Sequence, residues 1–137
     1  MNMERKNEQK LKPPKEWFKQ ADYDLDTAEE MFKTKRYIYA VFMCHLSIEK
    51  ALKGLYRQNL YDIPPKVHNL IYLIKKIDLP VPDNLKEFII ELNRVSIPTR
   101  YPEELVVLLK EYSKQRVTDI LEKSKEALKW LKERLKK

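Results

Sequence analysis

The 137-residue sequence contains only one glycine, Gly54, and only one cysteine, Cys44. A loop that wraps a phosphate with its backbone N–H groups needs several glycines close together, so that class of nucleotide site is excluded. A single cysteine excludes a disulfide scaffold and any zinc module built on cysteine pairs. Any nucleotide would have to be held by side chains or by helix N-termini. Cys44 itself lies in a run of regularly spaced apolar residues, and we interpret it as a core residue.

Histidine is also scarce, since His45 and His68 are the only two. This number excludes a histidine-rich metal site. A di-iron helical bundle requires Glu-x-x-His from two helices, and neither histidine has a glutamate three residues before it. We therefore expect no metal and no cofactor.

Long apolar runs are missing as well. No apolar run in the sequence reaches the ~18 residues of a membrane span. The first ten residues lack the apolar segment of a signal peptide. We expect a reduced, cytoplasmic protein with no membrane segment.

Charge is plentiful, and it is unevenly distributed. The formal net charge is +7, from 28 Lys and Arg against 21 Asp and Glu. Residues 1–15 carry +3 and residues 110–137 carry +5, whereas residues 16–109 carry −1. A surplus of this kind favours loose association with polyanions, although a solvated lysine-rich surface explains it more simply. The many lysines and glutamates also resemble the composition of thermophile proteins.

Apolar residues recur every three or four positions in four long stretches, which predicts amphipathic helices. Residues 1–13 show no such period and are interpreted as a flexible arm. A first helix is expected from Pro14, and a second from about Arg36 to Gln58. After Pro64-Pro65 a shorter helix is expected to bury Leu70, Leu73, Ile74 and Ile77.

The second half of the chain is divided by further prolines. Asp83 or Asn84 is expected to cap a helix, and Ser113 to cap the last one, which we expect to reach the final residues. Ile97 to Tyr101 should be extended or turn-like, because prolines flank them. Residues 103–112 fit either a short helix or a buried extended piece. The fold class is therefore all-α: an antiparallel four-helix up-and-down bundle with one or two additional short helices.

The second predicted helix has two apolar stripes, one through Val41 and Ile48 and another through Phe42, Leu46 and Tyr56. A helix that is apolar over so wide an arc is either central in the bundle or covered by a partner chain. Only Lys50, Lys53 and Arg57 leave a clearly solvated strip, with Met43 between the stripes. On the first helix, Asp24 lies close to the buried stripe, so we expect it to find a partner.

The second helix, over residues 37–55, carries the sequence YIYAVFMCHLSIEKALKGL, which resembles the signature of the prokaryotic HEPN domain (higher eukaryotes and prokaryotes nucleotide-binding). Three further pieces occur in the order that this family has. They are Trp17 to Ala28, His68-Asn69-Leu70, and Thr99-Arg100-Tyr101-Pro102. The resemblance covers roughly residues 14–135.

The resemblance implies a helical bundle that dimerises, often beside a small nucleotidyltransferase in a toxin–antitoxin-like pair. Some members are metal-independent ribonucleases that pair an arginine with a histidine about four to six residues downstream. Here no histidine follows Arg94 or Arg100, because His68 is the last one. Catalysis is therefore not expected.

A few residues are candidates for a site. His45 and Glu49 lie one helical turn apart, and are either a polar site or a satisfied pair in the core or a dimer interface. His68 could serve as a loop-packing or capping residue. Arg100 could bind a phosphate or form an ion pair with Asp24 or Glu49, and Tyr101 could stack on a base. The candidates for nucleotide or phosphate binding are Arg100, Tyr101, His45, Glu49 and Lys53, with Asp24 as a structural polar partner.

The sequence leaves three functions open. The first is a dimeric binding module that partners a nucleotidyltransferase-type protein, with nucleotide or RNA contact at these residues and self-association through the second helix. The second is a metal-independent ribonuclease with a rearranged site drawn from Arg100, His45 and His68. The third is a structural adaptor with no small ligand.

Overall fold

The computed structural model describes residues 11–100 and 104–136, without the side chain of Arg100. This part of the chain has four long helices and two short ones, and no strand. The all-α fold class predicted from the sequence is confirmed. Of the predicted arm, only residues 11–13 lie within the described part, and they precede the first helix. The helices are α1 (Pro14–Lys33), α2 (Tyr37–Leu60), α3 (Leu70–Ile77), α4 (Asp83–Arg100), α5 (Leu105–Glu111) and α6 (Lys114–Lys132).

Helices α1 and α2 form the most intimate pair in the bundle, joined by the short turn at residues 34–36. Gly54 makes this approach possible, because a Cβ at that position would lie 3.0 Å from both the Trp17 Cβ and the Phe18 Cε2. The Ser47 hydroxyl donates to the Ala21 carbonyl over 2.7 Å and fixes the same contact. The only glycine of the sequence is thus required by helix packing and not by a loop.

Helix α2 is the centre of the bundle, since every other helix packs against it. The stripe through Val41 and Ile48 is completely buried from Val41 to Leu55. On the second stripe, Tyr56 packs against the core, whereas Phe42 and Leu46 are half-buried. A central position therefore accounts for much of the wide apolar arc. Phe42 and Leu46 on the N-terminal half of α2 are not completely covered, and we call them the apolar remainder.

The prediction that Ile97 to Tyr101 are extended or turn-like is wrong for residues 97–100, because α4 continues through Pro98 to Arg100. A proline inside a helix removes one backbone hydrogen bond, and other groups hold this turn. The Thr99 hydroxyl donates to the Ser96 carbonyl, and the Tyr112 hydroxyl donates to the Val95 carbonyl over 2.5 Å. Tyr101 lies outside the described residues.

Residues 105–111 form a short helix, α5, which excludes the alternative of a buried extended piece. Leu108 is the only residue of α5 that is buried. Leu105, Val106, Val107 and Leu109 are exposed instead. An apolar composition therefore does not place this segment in the core.

Helix α6 begins as predicted, with the Ser113 hydroxyl accepting from the Arg116 N–H over 3.2 Å. It ends at Lys132, short of the final residues that the sequence pattern predicted. Two hydrogen bonds from the end of α2 hold the residues that follow Lys132. The Gln58 side chain donates to the Arg134 carbonyl over 3.0 Å and accepts from the Lys136 N–H over 2.7 Å, which turns the chain across the end of α2.

The predicted buried face of the short helix α3 is confirmed. The four residues expected to be the buried face of α3 are all buried, and Asn69 caps this helix by accepting from the Ile71 and Tyr72 N–H groups.

Within the described residues, no helix is both long enough and apolar enough to cross a bilayer.

Cys44 lies in the core with no exposed surface, which confirms its interpretation as a core residue. Burial raises the pKa of its thiol to about 12, from an ordinary 9.0. We expect the native protein to resist thiol-specific reagents at pH 8 and to react once urea unfolds it, because only the thiolate is nucleophilic. Measuring labelling against urea concentration checks this, and rapid labelling of the native chain would contradict it.

The same shift predicts a pH dependence of stability. Above pH 9 the unfolded chain loses the thiol proton while the native chain keeps it, so stability falls as pH rises. At pH 10 the loss from this group should be about 1 kcal/mol. Urea midpoints at pH 8 and pH 10 should therefore differ more for the wild type than for Cys44→Ala.

Candidate functional site

The carboxylate of Glu49 is buried inside the bundle, with 3% of the residue exposed, and three basic side chains approach it. Its Oε1 lies 3.0 Å from the His68 Nδ1 and 3.7 Å from the His45 Nδ1. Its Oε2 accepts from the Lys53 ammonium over 3.0 Å. We call Glu49, Lys53, His45, His68 and Asn93 the Glu49 cluster.

Three elements bring the cluster together. His45, Glu49 and Lys53 follow one another at four-residue steps on α2, so they share one helix face. His68 comes from the loop between α2 and α3, residues 61–69, which contains Pro64-Pro65. Asn93 comes from α4. Sequence spacing predicted the pairing of His45 with Glu49. The contact of Lys53 with Glu49 has the same spacing, whereas the contacts of His68 and Asn93 depend on the tertiary fold.

His45 lies in the core, with 1% of its surface exposed. Its Nε2 is 3.5 Å from the Asn93 Oδ1, and the same oxygen accepts from the Leu70 N–H over 2.9 Å. Of the two interpretations of the His45–Glu49 pair, the structure supports the satisfied polar pair in the core. A ligand in solution does not reach this imidazole.

The predicted solvated strip on α2 is wrong for Lys53, of which only 8% is exposed. An ammonium is buried at this position because Glu49 lies one turn before it and supplies the opposite charge. Lys50 is half-buried and forms an ion pair with Asp24 over 2.8 Å. The expectation that Asp24 needs a partner is confirmed, and that partner is Lys50. As a phosphate-binding candidate, Lys53 is therefore not accessible.

His68 is the exposed member of the Glu49 cluster, with 56% of its side chain accessible. When Glu49 is ionised, it accepts a hydrogen bond from the His68 Nδ1–H, which leaves the Nε2 lone pair available to solvent. An imidazole oriented in this way could act as a base. Two other candidates from the sequence, Tyr101 and the side chain of Arg100, lie outside the described residues.

Arg94 is the remaining arginine considered for a catalytic pair. Its guanidinium donates to both carboxylate oxygens of Glu91, over 3.1 Å and 2.6 Å. These hydrogen bonds lower the pKa of the Glu91 carboxyl, assisted by Arg116 at 3.4 Å. Arg94 is thus held by an ion pair along its own helix. Over residues 11–100 and 104–136, no group of His, Cys, Asp or Glu has the arrangement of a metal site.

One further feature was not predicted from the sequence. A pocket of about 300 Å³ lies where α1 begins and α2 ends, and its walls include Arg57, Gln58 and Lys136. These residues are far apart in the sequence, and no short motif connects them. The one sequence signal was the basic surplus at both ends of the chain.

Known protein domains resemble this chain over most of its length. A family model described as HEPN domain matches residues 14–135. The chain is similar to the crystal structure of TT1696 from Thermus thermophilus, with a TM-score of 0.76 and 27% sequence identity, covering 89% of this chain and 98% of that one. It is also similar to the crystal structure of ST0689, an archaeal HEPN homologue, with a TM-score of 0.74 and 25% identity, covering 91% of this chain and 99% of that one. No curated protein matches significantly.

The buried Glu49–Lys53 pair generates a prediction about stability. Glu49→Gln leaves the Lys53 ammonium without its ion-pair partner, and we expect a loss of about 3–5 kcal/mol. Lys53→Met should also destabilise the protein, and the double variant should be more stable than the sum of the two losses implies. Urea unfolding of the four proteins measures the coupling free energy.

The exposed pair Lys123–Asp119, at 3.2 Å and with the same four-residue spacing, is the matched control. Its coupling free energy should stay below about 0.5 kcal/mol. If the Glu49–Lys53 coupling is no larger than that of the control, the buried pair does not hold the Glu49 cluster together.

Proposed function

Because the chain belongs to the HEPN domain family, we propose that it is a non-catalytic binding module that self-associates through α2 and partners a second protein. The apolar remainder on the N-terminal half of α2 is the observation that carries this proposal. The arrangement of the Glu49 cluster, in which the polar groups satisfy one another, supports the non-catalytic part.

The surface expected to self-associate surrounds Tyr39, which is 59% exposed. A groove of about 570 Å³ runs beside it, lined by Met31, Phe42 and Met43 together with Arg36 and Thr34. Aromatic residues, methionine and arginine are the residue types enriched at protein interfaces. A second copy of the chain would bury this surface, and Leu46 one turn further along α2 would extend it.

A second protein is also part of the proposal. Exposed apolar residues occur on α5, at Leu105 and Val106, and on the outer face of α4, at Ile90 and Ile97. Exposed apolar patches of this kind favour a protein partner. The family association suggests a nucleotidyltransferase-type protein, and co-purification with the product of the neighbouring reading frame tests that choice. A nucleotide contact at the Glu49 cluster would depend on His68, its exposed member.

Self-association is tested by light scattering at tens of micromolar protein. We expect the wild type to have twice the monomer mass of 16.6 kDa. Tyr39→Glu should give the monomer mass, because burying an unpaired carboxylate in an apolar interface costs several kcal/mol. Tyr23→Glu is the matched control, since Tyr23 lies on the outer face of α1 and is 73% exposed. A strictly monomeric wild type, or the same loss in both variants, would contradict the proposed interface.

The ribonuclease alternative remains the second candidate, and the exposed, oriented imidazole of His68 is the observation that favours it. Our proposal predicts that RNA incubated with the purified protein and EDTA stays intact. Cleavage that persists in EDTA and is lost in His68→Ala would replace the binding module with a ribonuclease. Cleavage that is unchanged in His68→Ala would point to a contaminating nuclease. A structural adaptor differs from both in showing no thermal shift with nucleotides or RNA.

A further inference from the structure

Helices α4 and α6 enclose a groove that belongs neither to the Glu49 cluster nor to the surface around Tyr39. Its volume is about 460 Å³, and its lining residues lie between Asn84 and Glu91 on α4 and between Arg116 and Glu126 on α6. We call it the α4–α6 groove. The proposed self-association involves none of these residues, so a role for the groove does not depend on it.

The α4–α6 groove is elongated because its two helices run in opposite directions. The Arg116 guanidinium lies 3.4 Å from the Glu91 carboxylate, and beyond this pair the Tyr112 hydroxyl donates to the Val95 carbonyl. The start of α6 is therefore next to the second half of α4, and the groove extends from the ion pair towards the start of α4. The wall from Asn84 to Glu91 spans about 10 Å.

The floor of the groove is apolar. Leu85 and Phe88 pack against the core from α4 and remain partly exposed, and Ile120 on α6 is 5% exposed. Such a floor between two helices suits a third, amphipathic helix that packs with apolar residues three or four positions apart. Residues at that spacing are about 6 Å apart, so the groove has room for two of them.

The charge of the groove is opposite to that of the whole chain. Four of its lining side chains are acidic and two are basic, whereas the chain carries +7. Both basic side chains already form ion pairs. Arg116 pairs with Glu91 over 3.4 Å, and Lys123 pairs with Asp119 over 3.2 Å. The groove therefore has a surplus of negative charge.

Two carboxylates of the groove are left without a cation. Glu87 on α4 and Glu126 on α6 are exposed, and neither forms an ion pair with residues 11–100 or 104–136. The positive end of the α4 macrodipole lies at the start of the groove, and Asp83 in the first turn of α4 offsets it. The groove thus favours cationic groups and disfavours anions such as nucleic acids.

We propose that the α4–α6 groove binds a basic amphipathic helix of a partner protein. Apolar side chains of that helix lie on Leu85, Phe88 and Ile120, and lysine or arginine side chains beside them pair with Glu87 and Glu126. A polyamine would leave the apolar floor uncovered, and an acidic helix would be repelled by the two carboxylates. Complementary charge also speeds the encounter between partners. This inference adds a binding surface and does not rest on the proposed function.

The test measures fluorescence anisotropy of a fluorescein-labelled synthetic helix of lysine, leucine and alanine, with leucine at every fourth position, titrated with the full chain. We expect Glu87→Gln and Glu126→Gln each to weaken binding about fivefold, because each removes one partly shielded ion pair. Both side chains are exposed, so neither substitution disturbs the core. Unchanged thermal midpoints check that the fold is intact.

Glu122→Gln is the matched control. Glu122 is an exposed carboxylate on α6, one turn before Glu126, and it does not line the groove. Binding should change by less than twofold in this variant. Two altered peptides test the floor and the charge without changing the protein. Alanine in place of leucine should weaken binding about tenfold, and so should glutamate in place of lysine.

Selective losses in Glu87→Gln and Glu126→Gln, together with weak binding of both altered peptides, support the docking site. Equal losses in Glu122→Gln and Glu126→Gln would reduce the interaction to diffuse charge attraction and overturn it. Displacement of the leucine peptide by an equal concentration of spermidine would leave an amine site that needs no helix, and would overturn it too. So would absence of binding to the wild type. The light-scattering result is independent of all these outcomes, because the groove and the surface around Tyr39 share no residue.

Discussion

The buried carboxylate of Glu49 imposes a constraint on everything around it. A charge at this depth requires partners, and the bundle supplies them from two elements, Lys53 on α2 and His68 in the loop before α3. His45 and Asn93 extend the same network to α4 and to the start of α3. The loop between α2 and α3 packs part of its apolar surface against the core, and the contact of His68 with Glu49 adds a polar attachment. Apolar packing therefore seats the short helix α3 on the bundle, and the Glu49 cluster adds polar contacts at its N-terminal end.

The sequence predicts the apolar part of this arrangement well. The buried stripe of α2, the buried face of α3 and the capping of α6 by Ser113 follow from spacing and residue type, because helical periodicity is a local property. The same local patterns failed where tertiary contacts decide. Pro98 remains inside α4 because hydroxyl groups and Tyr112 stabilise that turn, and α5 is apolar yet exposed.

The candidate site likewise combines contacts that local sequence patterns predict with contacts that only the tertiary fold creates. The four-residue step from His45 to Glu49 predicted a polar pair, and the position of Asp24 close to the apolar stripe of α1 predicted that it needs a partner. Neither pattern revealed that Lys53 is buried, since a lysine next to other cations on a helix usually lies in solvent. His68 could not be placed next to Glu49 from the sequence, because His68 lies in a loop, and a loop has no periodic pattern from which its path can be predicted. The pocket at Arg57 depends on contacts between the end of α2 and the residues that follow α6, which no short sequence pattern predicts.

Basic residues at the ends of α2 and α6 have a structural explanation. Cations in the last turn of a helix stabilise it through the macrodipole, and Arg57, Lys129 and Lys132 occupy such positions. Lys132 also forms an ion pair with Asp22, which ties α6 to α1. The Arg57 Nε is buried, with no acceptor among residues 11–100 and 104–136, and Lys136 lies beyond the end of α6, where the Gln58 side chain holds its backbone N–H. The macrodipole therefore accounts for a cation at the end of α2, but not for the burial of the Arg57 Nε.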